Sequence, residues 1–469
     1  MQIIQIIPLS ILKSQYKNDW IYELSFWQGI ALSLLKIKQY GKVALYTDQE
    51  GFEVLINQIH LPYDEVKIIQ NNTSDFSVCV VDILSNAEEC IWVSSDIYAL
   101  KNLSIIEKNA FYLWHADPSE MLSASRIYEN HSLLKSLFHR PHNWDGYFIF
   151  EGIFQHNKTF WAGYDSLLKE IFQMDNSLAK NYYTDYRTTD RFILKYLLSV
   201  YARKNEYMIS ENLNKIARQH LYVESIIQNL YELPLIQATD ELKKSVHFND
   251  LISYLLFEES PTVFHKIQNI FKQKDTDQDP FFIRTQQCSM IMDDFKKRSS
   301  LTADIFKYEK KRKRFITNIS DMLFDNYSPF QSTQFLLNTP ITTILEGKWQ
   351  LNDNHIVIES KWKWDMNENT NLDIETYAKL KIYYNKSELS GFHHTLIMMN
   401  RLNGRVSEVH LDILQVLVLY YLKKPKKVKA VIKWIEKAIF EQENIPFDFK
   451  EKCIEAMKPL ALMNCIEKI

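Results

Sequence analysis

Short apolar runs alternate with amphipathic helical runs over the first part of this chain, and this alternation limits the fold more than any other feature. Runs of strand length lie at residues 3–7, 42–47 and 88–100, and residues 20–37 carry apolar side chains at helical spacing. Strands that alternate with helices form a mainly parallel sheet that helices cover on both faces. The sequence therefore predicts an α/β fold for residues 1–180.

The chain changes character twice after this first domain. Residues 181–325 are predicted to be mainly helical, and the charged segment 274–280 is the best linker candidate. Residues 330–469 combine alternating strands, such as 356–364, with amphipathic helices, which predicts a small α+β domain. Residues 351–354, just before that strand, are typical of a hairpin turn.

Composition excludes several classes of protein. Of the 469 residues, 46% are hydrophobic and 24% are charged, which is typical of a folded protein and not of a disordered one. No glycine-rich dinucleotide motif or P-loop occurs among the nine glycines. The net charge of −3 predicts no general attraction to nucleic acid. The longest apolar run, residues 416–422, is far shorter than the about 20 residues that cross a bilayer, so no membrane span is expected.

Cysteine usage and the first residues of the chain bear on the compartment. The five cysteines are scattered and none forms a C-x-x-C pair, so neither a zinc site nor a disulfide framework is predicted. Residues 1–8 lack a basic leader and a long apolar core, and are interpreted as a first strand and not as a signal peptide. A reducing cytoplasm is the expected location.

The stretch that says most about function lies within residues 90–100. An apolar run enters, Ser94, Ser95 and Asp96 follow, and an apolar run resumes. Polar residues at the carboxyl end of a strand in an open α/β sheet lie where ligands collect. The same three residues are also typical of a turn or a helix N-cap, and their spacing alone favours that structural interpretation.

The order of motifs around this stretch resembles glycosyltransferases of the GT-A type, especially an uncharacterised bacterial branch of them. The motifs are Phe26-Trp27 through Ser33-Leu34, Thr47-Asp48 with Gly51, Leu61-Pro62-Tyr63, and Ser94-Ser95-Asp96. The resemblance covers residues 1–270 and implies a GT-A-like, Rossmann-like domain whose substrate is a nucleotide sugar.

The resemblance implies a divalent cation, Mn²⁺ or Mg²⁺, at the strand end. Such enzymes use two acids one residue apart to hold the cation against the diphosphate that leaves in the reaction. Asp96 is then the metal ligand and a catalytic residue, with Ser94 and Ser95 beside it in the same site. Ser94 stands where the first acid is usual, which is a departure from the family pattern.

Two further motifs of the resemblance concern the nucleotide and its phosphates. Thr47 and Asp48 are expected near the nucleotide. Lys243 and Lys244 resemble a lysine pair that faces phosphates. The histidine that usually precedes this pair is missing, and His247 follows it instead.

Other polar residues are candidates for the same rim or for acid–base chemistry. His115 and Asp117 follow a predicted strand, although Asp117 precedes a proline and such a pair commonly forms a turn. Asp145 lies in a segment rich in histidine, arginine and aromatic residues, residues 138–146, and is the candidate general base toward an acceptor hydroxyl. A packed surface loop is the alternative for that segment.

The C-terminal part offers a second resemblance and two basic runs. Residues 411–440 resemble the small PqqD-like winged-helix domains that bind leader peptides of ribosomally made peptides. Such domains capture a peptide as an added strand, and residues 356–384 are the candidate edge. A generic helical cap is the alternative. The basic runs at 310–314 and 423–429 are interpreted as solvated faces, because no aromatic residues interleave with them.

Two functions follow from these observations. The first is a glycosyltransferase-like protein that moves a sugar from a nucleotide sugar to a peptide, protein or glycan acceptor. The alternative is a non-catalytic protein that keeps the GT-A-like scaffold and recognises a peptide or a partner enzyme, for example in the maturation of ribosomally made peptides.

Overall fold

The computed structural model describes most of the chain. The described residues are 2–15, 20–70, 76–87, 90–100, 110–115, 147–149, 153–155, 159, 161–166, 208–210, 223–230, 233, 235–278, 300–319, 329–362, 390–400, 402, 406–440 and 446–469. They form two compact units, residues 1–272 and residues 273–469. The division lies beside the charged segment 274–280, but a helix continues through Gln278, so the described part of the predicted linker is helical.

A five-stranded sheet forms the centre of the N-terminal unit. The strands of this unit are β1 (Gln2–Ile7), β2 (Val43–Thr47), β3 (Glu65–Ile68), β4 (Cys90–Val93), β5 (Ile97–Ala99), β6 (Ala110–His115), β7 (Tyr147–Ile149), β8 (Ile153–Gln155), β9 (Met208–Ser210) and β10 (Leu235–Gln237). The central sheet has the order β3-β2-β1-β4-β8, in which all neighbours are parallel except β4 and β8. The predicted α/β fold with a parallel sheet is therefore confirmed.

Helices cover this sheet and fill the middle of the chain, as predicted. They are α1 (Leu9–Gln15), α2 (Glu23–Lys38), α3 (Gln49–Gly51, followed by a π-helical turn over Phe52–Gln58), α4 (Phe76–Asn86), α5 (Val223–Gln228), α6 (Asp240–Lys243), α7 (Val246–Glu259) and α8 (Pro261–Gln278). Helix α2 is apolar on nearly every side and is buried, packed against α7. A Cβ atom on its Gly29 would lie 2.8 Å from the hydroxyl of Tyr98, so β5 approaches α2 closely only because this residue is glycine.

Strand β1 lies where the order of the strands reverses. From β1 the chain passes to β2 and β3 on one side, and it later forms β4 on the other side of β1. A crevice opens outside the carboxyl ends of two such strands, because the connections that follow them leave in opposite directions. The residues after Ile7 and Val93 therefore lie where open α/β sheets bind ligands.

The C-terminal unit mixes helices with antiparallel strands. Its helices are α9 (Ser300–Ile319), α10 (Pro329–Asn338), α11 (Ile341–Glu346), α12 (Ile413–Tyr421), α13 (Val428–Ile439) and α14 (Phe449–Leu462), and its strands are β11 (Lys348–Leu351), β12 (His355–Trp362), β13 (Ser390–Met399), β14 (Val406–Leu411), β15 (Lys426–Lys427) and β16 (Ile466–Lys468). The strands form two sheets, β15-β11-β16 and β12-β13-β14. No described helix is both long and apolar enough to cross a membrane.

The hairpin predicted at residues 351–354 is wrong. Strands β11 and β12 flank these residues but belong to different sheets. The backbone N–H of Asn352 donates to the carbonyl of Cys465 at 2.9 Å, and its side chain donates to the carbonyl of Asn464 at 2.8 Å. These bonds hold the end of β11 beside β16, a partner more than a hundred residues away, and the turn residues alone do not indicate that partner.

A buried ion pair fastens helix α9 to the sheet β12-β13-β14. The guanidinium Nε of Arg312 donates to Oε1 of Glu408 at 2.5 Å, and the hydroxyl of Tyr308 donates to Oε2 at 2.7 Å. The side chains of Arg312 and Glu408 are only 1% and 5% exposed. The basic run 310–314 is therefore a solvated face only in part, because its central arginine points into the core.

Candidate functional site

Ser94, Ser95 and Asp96 form a turn between β4 and β5. The hydroxyl of Ser94 accepts the backbone N–H of Asp96 at 3.4 Å, and the carbonyl of Ser94 accepts the N–H of Ile97 at 3.1 Å. Strand β5 then pairs antiparallel with β10, so the single strand predicted over 88–100 is two strands in different sheets. Since β4 lies beside β1, this turn is at the carboxyl end of β4, where the strand order reverses and where open α/β sheets bind ligands.

An ion pair joins this turn to helix α6. The ammonium Nζ of Lys243 lies 2.6 Å from Oδ2 of Asp96. The lysine side chain is 2% exposed and the aspartate side chain is 32% exposed, so the pair has a buried cationic end and an open anionic end. The sequence predicted both residues as site members from separate motifs, and the fold brings them together across 147 positions.

Backbone hydrogen bonds fix both members of this pair. The carbonyl of Asp96 accepts the N–H of Ala238 at 2.9 Å, beside the end of β10. The carbonyl of Lys243 accepts the N–H of Ile21 at 3.2 Å and the side-chain amide of Asn249 at 2.8 Å. The backbone of both residues is therefore held in place by the framework.

Thr47 and Asp48 hold the neighbouring strand ends together. The hydroxyl of Thr47 donates to the carbonyl of Ile7, the last residue of β1, at 2.5 Å. One carboxylate oxygen of Asp48 caps α3 by accepting the N–H of Gly51 at 2.7 Å. The other oxygen accepts the N–H and the hydroxyl of Ser10 at 2.8 and 2.5 Å. The two residues that were expected near the nucleotide thus shape the edge of the crevice.

Gly51→Ala is expected to lower the free energy of unfolding by about 1–3 kcal/mol. A Cβ atom at this position would lie 1.9 Å from Oγ1 of Thr47 and 3.2 Å from the carbonyl oxygen of Ile7. Urea unfolding measures the loss. In a Thr47→Ala background, which removes the closest contact, the same substitution should cost less. An equal cost in both backgrounds would show that this contact is not the cause.

A buried chain of hydrogen bonds leads from Tyr63 to the same turn. The hydroxyl of Tyr63 donates to Oε1 of Gln5 at 2.8 Å, and the amide of Gln5 donates to Oγ of Ser33 at 2.9 Å. The hydroxyl of Ser33 in turn donates to the carbonyl of Ser94 at 3.3 Å. Burial raises the pKa of Tyr63, so its hydroxyl keeps its proton. Motifs that follow one another in the sequence are therefore joined in space.

One known protein family matches the part of the chain that contains these contacts. The model of a family of unknown function, DUF6734, matches residues 1–270. The chain belongs to this family. The match covers nearly all of the N-terminal unit, residues 1–272, so each contact described above at the turn lies within the DUF6734 region. A comparison with the curated proteins finds no match.

The remaining predicted residues of this DUF6734 member are placed as follows. Lys244 is exposed next to Lys243, and His115 is the last residue of β6. Asp117 and Asp145 lie outside the described residues. His247 lies in the first turn of α7, where burial lowers the pKa of its imidazole.

The sequence did not indicate the roles of three buried polar residues of the DUF6734 region. Gln5 and Ser33 are fully buried in the chain of hydrogen bonds. The hydroxyl of Tyr98 is buried without a hydrogen-bond partner among the described atoms, and burial, together with the charge of Asp96, raises its pKa well above the usual value. The available signal was a polar residue in an otherwise apolar strand or helix, as with glutamine inside the isoleucine-rich β1.

The described residues at this turn do not fit a divalent cation. Mn²⁺ and Mg²⁺ need several oxygen ligands around one point. Asp96 is a single carboxylate that already faces the ammonium of Lys243, and the hydroxyl of Ser94 is turned toward the backbone N–H of Asp96. Within the described parts of the chain, no three residues of the types His, Cys, Asp and Glu cluster as a metal site requires.

Proposed function

We propose that this chain is a glycosyltransferase-like protein that binds a nucleotide sugar and transfers the sugar to a peptide, protein or glycan acceptor. One observation carries the proposal: the Ser94–Asp96 turn and its buried lysine lie where the strand order of a parallel sheet reverses. Ligands of open α/β sheets bind in this crevice. The series of motifs that resembles GT-A enzymes passes through the same turn, so sequence and position support one site.

A nucleotide sugar offers this crevice both a diphosphate and several hydroxyl groups. The open carboxylate of Asp96 accepts hydrogen bonds from hydroxyls, and the ammonium groups of Lys243 and Lys244 attract phosphate oxygens. In the transfer, the acceptor hydroxyl oxygen bonds to the anomeric carbon, and the bond from that carbon to the diphosphate oxygen breaks. The hydroxyl proton passes to a base, for which Asp145 remains the predicted residue.

Uridine diphosphate is the first probe of this proposal. At about a hundred times its dissociation constant, a bound ligand raises the free energy of unfolding by ~2.7 kcal/mol, which a thermal scan detects as a higher melting temperature. Lys243→Met, which keeps a side chain of similar length but removes the charge, should weaken binding about tenfold or more.

The control is Lys38→Met, because Lys38 bonds to Pro62 and Asp64, away from the crevice. This variant should bind as the wild type does. Absence of a shift with every nucleoside diphosphate would contradict the proposal, and unchanged binding by Lys243→Met would exclude this turn as the site.

A second candidate function, recognition of a peptide by the C-terminal unit, is supported by an exposed apolar helix. Helix α12 is apolar along almost its whole length, yet only Val418 and Leu419 are buried. Ile413, Val416 and Tyr420 lie on one face at helical spacing, and Ile413 and Tyr420 are 62% and 58% exposed. An apolar helix face that is open to water marks an interaction surface.

Lysines border this face. The ammonium of Lys423 lies 4.6 Å from the ring centre of Tyr420, and that of Lys426 lies 3.6 Å from the ring centre of Trp434. The ring of Tyr421 packs against both aromatic rings: its centre lies 5.2 Å from the ring centre of Tyr420 and 5.4 Å from that of Trp434. No aromatic residue interleaves with this basic run in the sequence, but the fold supplies aromatics from the helices on either side. An apolar stripe with a cationic rim fits an acidic amphipathic helix.

A labelled helical peptide with leucines on one face and glutamates on the other is expected to bind the full chain. Ile413→Ser and Tyr420→Ala should each weaken this binding about tenfold, since exposed anchors at the centre of an interface dominate its affinity. Fluorescence anisotropy measures the dissociation constants. Phe447→Ala, which changes a fully exposed aromatic outside the stripe, is the control. Equal binding of a scrambled peptide would contradict this function.

A further inference from the structure

We infer that the ammonium of Lys243 takes the place of a divalent cation at Asp96, so that the crevice binds a nucleoside diphosphate without a metal. The inference rests on the proposed function for the class of ligand, and it concerns how the same site balances the charge of that ligand. It differs from what the resemblance to GT-A enzymes implies, which is an ion held by two acids.

The charges at the turn support the replacement of a divalent cation by the ammonium of Lys243. Two carboxylates balance an ion of charge +2, whereas one carboxylate balances one ammonium. Ser94 stands where the first acid is usual, and Lys243 supplies one positive charge 2.6 Å from the remaining acid. The absence of the first acid and the presence of the lysine are therefore consistent, because the pair of Asp96 and Lys243 is neutral before any ligand binds.

The burial of Lys243 keeps its ammonium beside Asp96, where the divalent cation would otherwise lie. Its side chain is 2% exposed and its carbonyl is held by Ile21 and Asn249, so little of the side chain meets water and the backbone that carries it is fixed. A metal ion at Asp96 would have to share one carboxylate with a fixed cation or displace that cation into an apolar interior. Both arrangements are unfavourable, because like charges repel strongly where water is excluded.

The groups around the ammonium of Lys243 favour its interaction with a phosphate. The ring centre of Trp20 lies 5.9 Å from Nζ of Lys243, and ring faces stabilise a cation without neutralising it. Asp96 is the exposed member of the pair, so a ligand in the crevice approaches the ammonium of Lys243 from the side of Asp96. A phosphate oxygen that reaches the turn shares the ammonium with the carboxylate, and the exposed Lys244 adds a second positive charge beside it.

The first test uses Mn²⁺ alone with the full chain, followed by electron paramagnetic resonance of the free ion. Wild type and Asp96→Asn are expected to give the same titration. The double variant Ser94→Asp with Lys243→Met, which restores two acids and removes the ammonium, is expected to bind Mn²⁺ at least about tenfold more tightly than the wild type. Circular dichroism verifies that this variant is folded.

Two results of this titration would overturn the inference. One is Mn²⁺ binding by the wild type that Asp96→Asn removes, a comparison that does not depend on the double variant. The other is a folded double variant that gains no affinity for Mn²⁺.

The second test compares the binding of uridine diphosphate in chelator and in Mn²⁺ by calorimetry. The dissociation constants should agree within about twofold, and Lys243→Met should weaken binding about tenfold or more under both conditions. Lys38→Met, which changes a lysine that bonds to Pro62 and Asp64 away from the crevice, should leave binding unchanged.

Each outcome of the second test has a separate meaning. Binding that requires Mn²⁺ would overturn the inference and leave the proposed function standing. Absence of binding with every nucleoside diphosphate under both conditions would refute the proposed function, and the Mn²⁺ titration would then still decide whether Asp96 holds a metal.

Discussion

Glu408→Ala is expected to lower the free energy of unfolding by about 3–5 kcal/mol, because it leaves a buried guanidinium without its carboxylate. Glu408 accepts hydrogen bonds from Arg312 and from Tyr308, and the two charged side chains are almost fully buried. Water cannot replace the lost partner in this position. Urea unfolding of the full chain, followed by circular dichroism, measures the change.

Glu455→Ala is the matched control for Glu408→Ala. Glu455 pairs with Lys458 on the surface and is 63% exposed, so its loss should cost less than about 1 kcal/mol. The combined replacement of Arg312 by Met and Glu408 by Leu should recover most of the stability that Glu408→Ala loses, since apolar side chains of similar size need no partner. Similar losses for Glu455→Ala and Glu408→Ala would contradict the importance assigned to burial.

Asp96→Ala is expected to lower the free energy of unfolding by about 3 kcal/mol, whereas Lys243→Met should cost only about 1 kcal/mol. The two ends of the pair differ in exposure, with 2% for the lysine and 32% for the aspartate. Removal of the aspartate leaves a cation in the interior without its carboxylate. Removal of the lysine leaves a carboxylate that water already reaches, and methionine fills the space of the lysine stem.

Urea unfolding without any ligand measures this asymmetry, so the result does not depend on the proposed function. Glu50→Ala, which breaks the exposed pair of Glu50 with Lys13, is the control and should cost less than about 1 kcal/mol. A larger loss for Lys243→Met than for Asp96→Ala would show that the buried ammonium does not depend on this carboxylate.

The elements of secondary structure could largely be predicted, because they depend on local periodicity. The apolar spacing of residues 20–37 predicted α2, and the alternation at 356–364 predicted β12. Errors occurred where a local pattern permits two outcomes. Turn residues at 351–354 indicate a reversal of the chain but not its partner, so a hairpin turn was predicted there although β11 pairs with β15 and β16.

The members of the candidate site could be predicted in part. Asp96 and Lys243 were identified from motifs, but their ion pair was not, because nothing local relates two residues 147 positions apart. The roles of Thr47 and Asp48 in joining β1 to β2 were also not evident, since they depend on contacts with Ile7 and Ser10.

The sequence by itself determined an α/β unit with a parallel sheet, and it predicted the candidate site at Ser94–Asp96. The spacing of apolar side chains was sufficient for this, because helices and strands bury one face at a period set by their own geometry. The tertiary structure alone decided which charges meet. The fold buries Arg312, which in the sequence is one member of a basic run. It also places the ammonium of Lys243 against Asp96. Desolvation and pairing depend on what the whole fold packs around a side chain, and a local pattern does not contain that information.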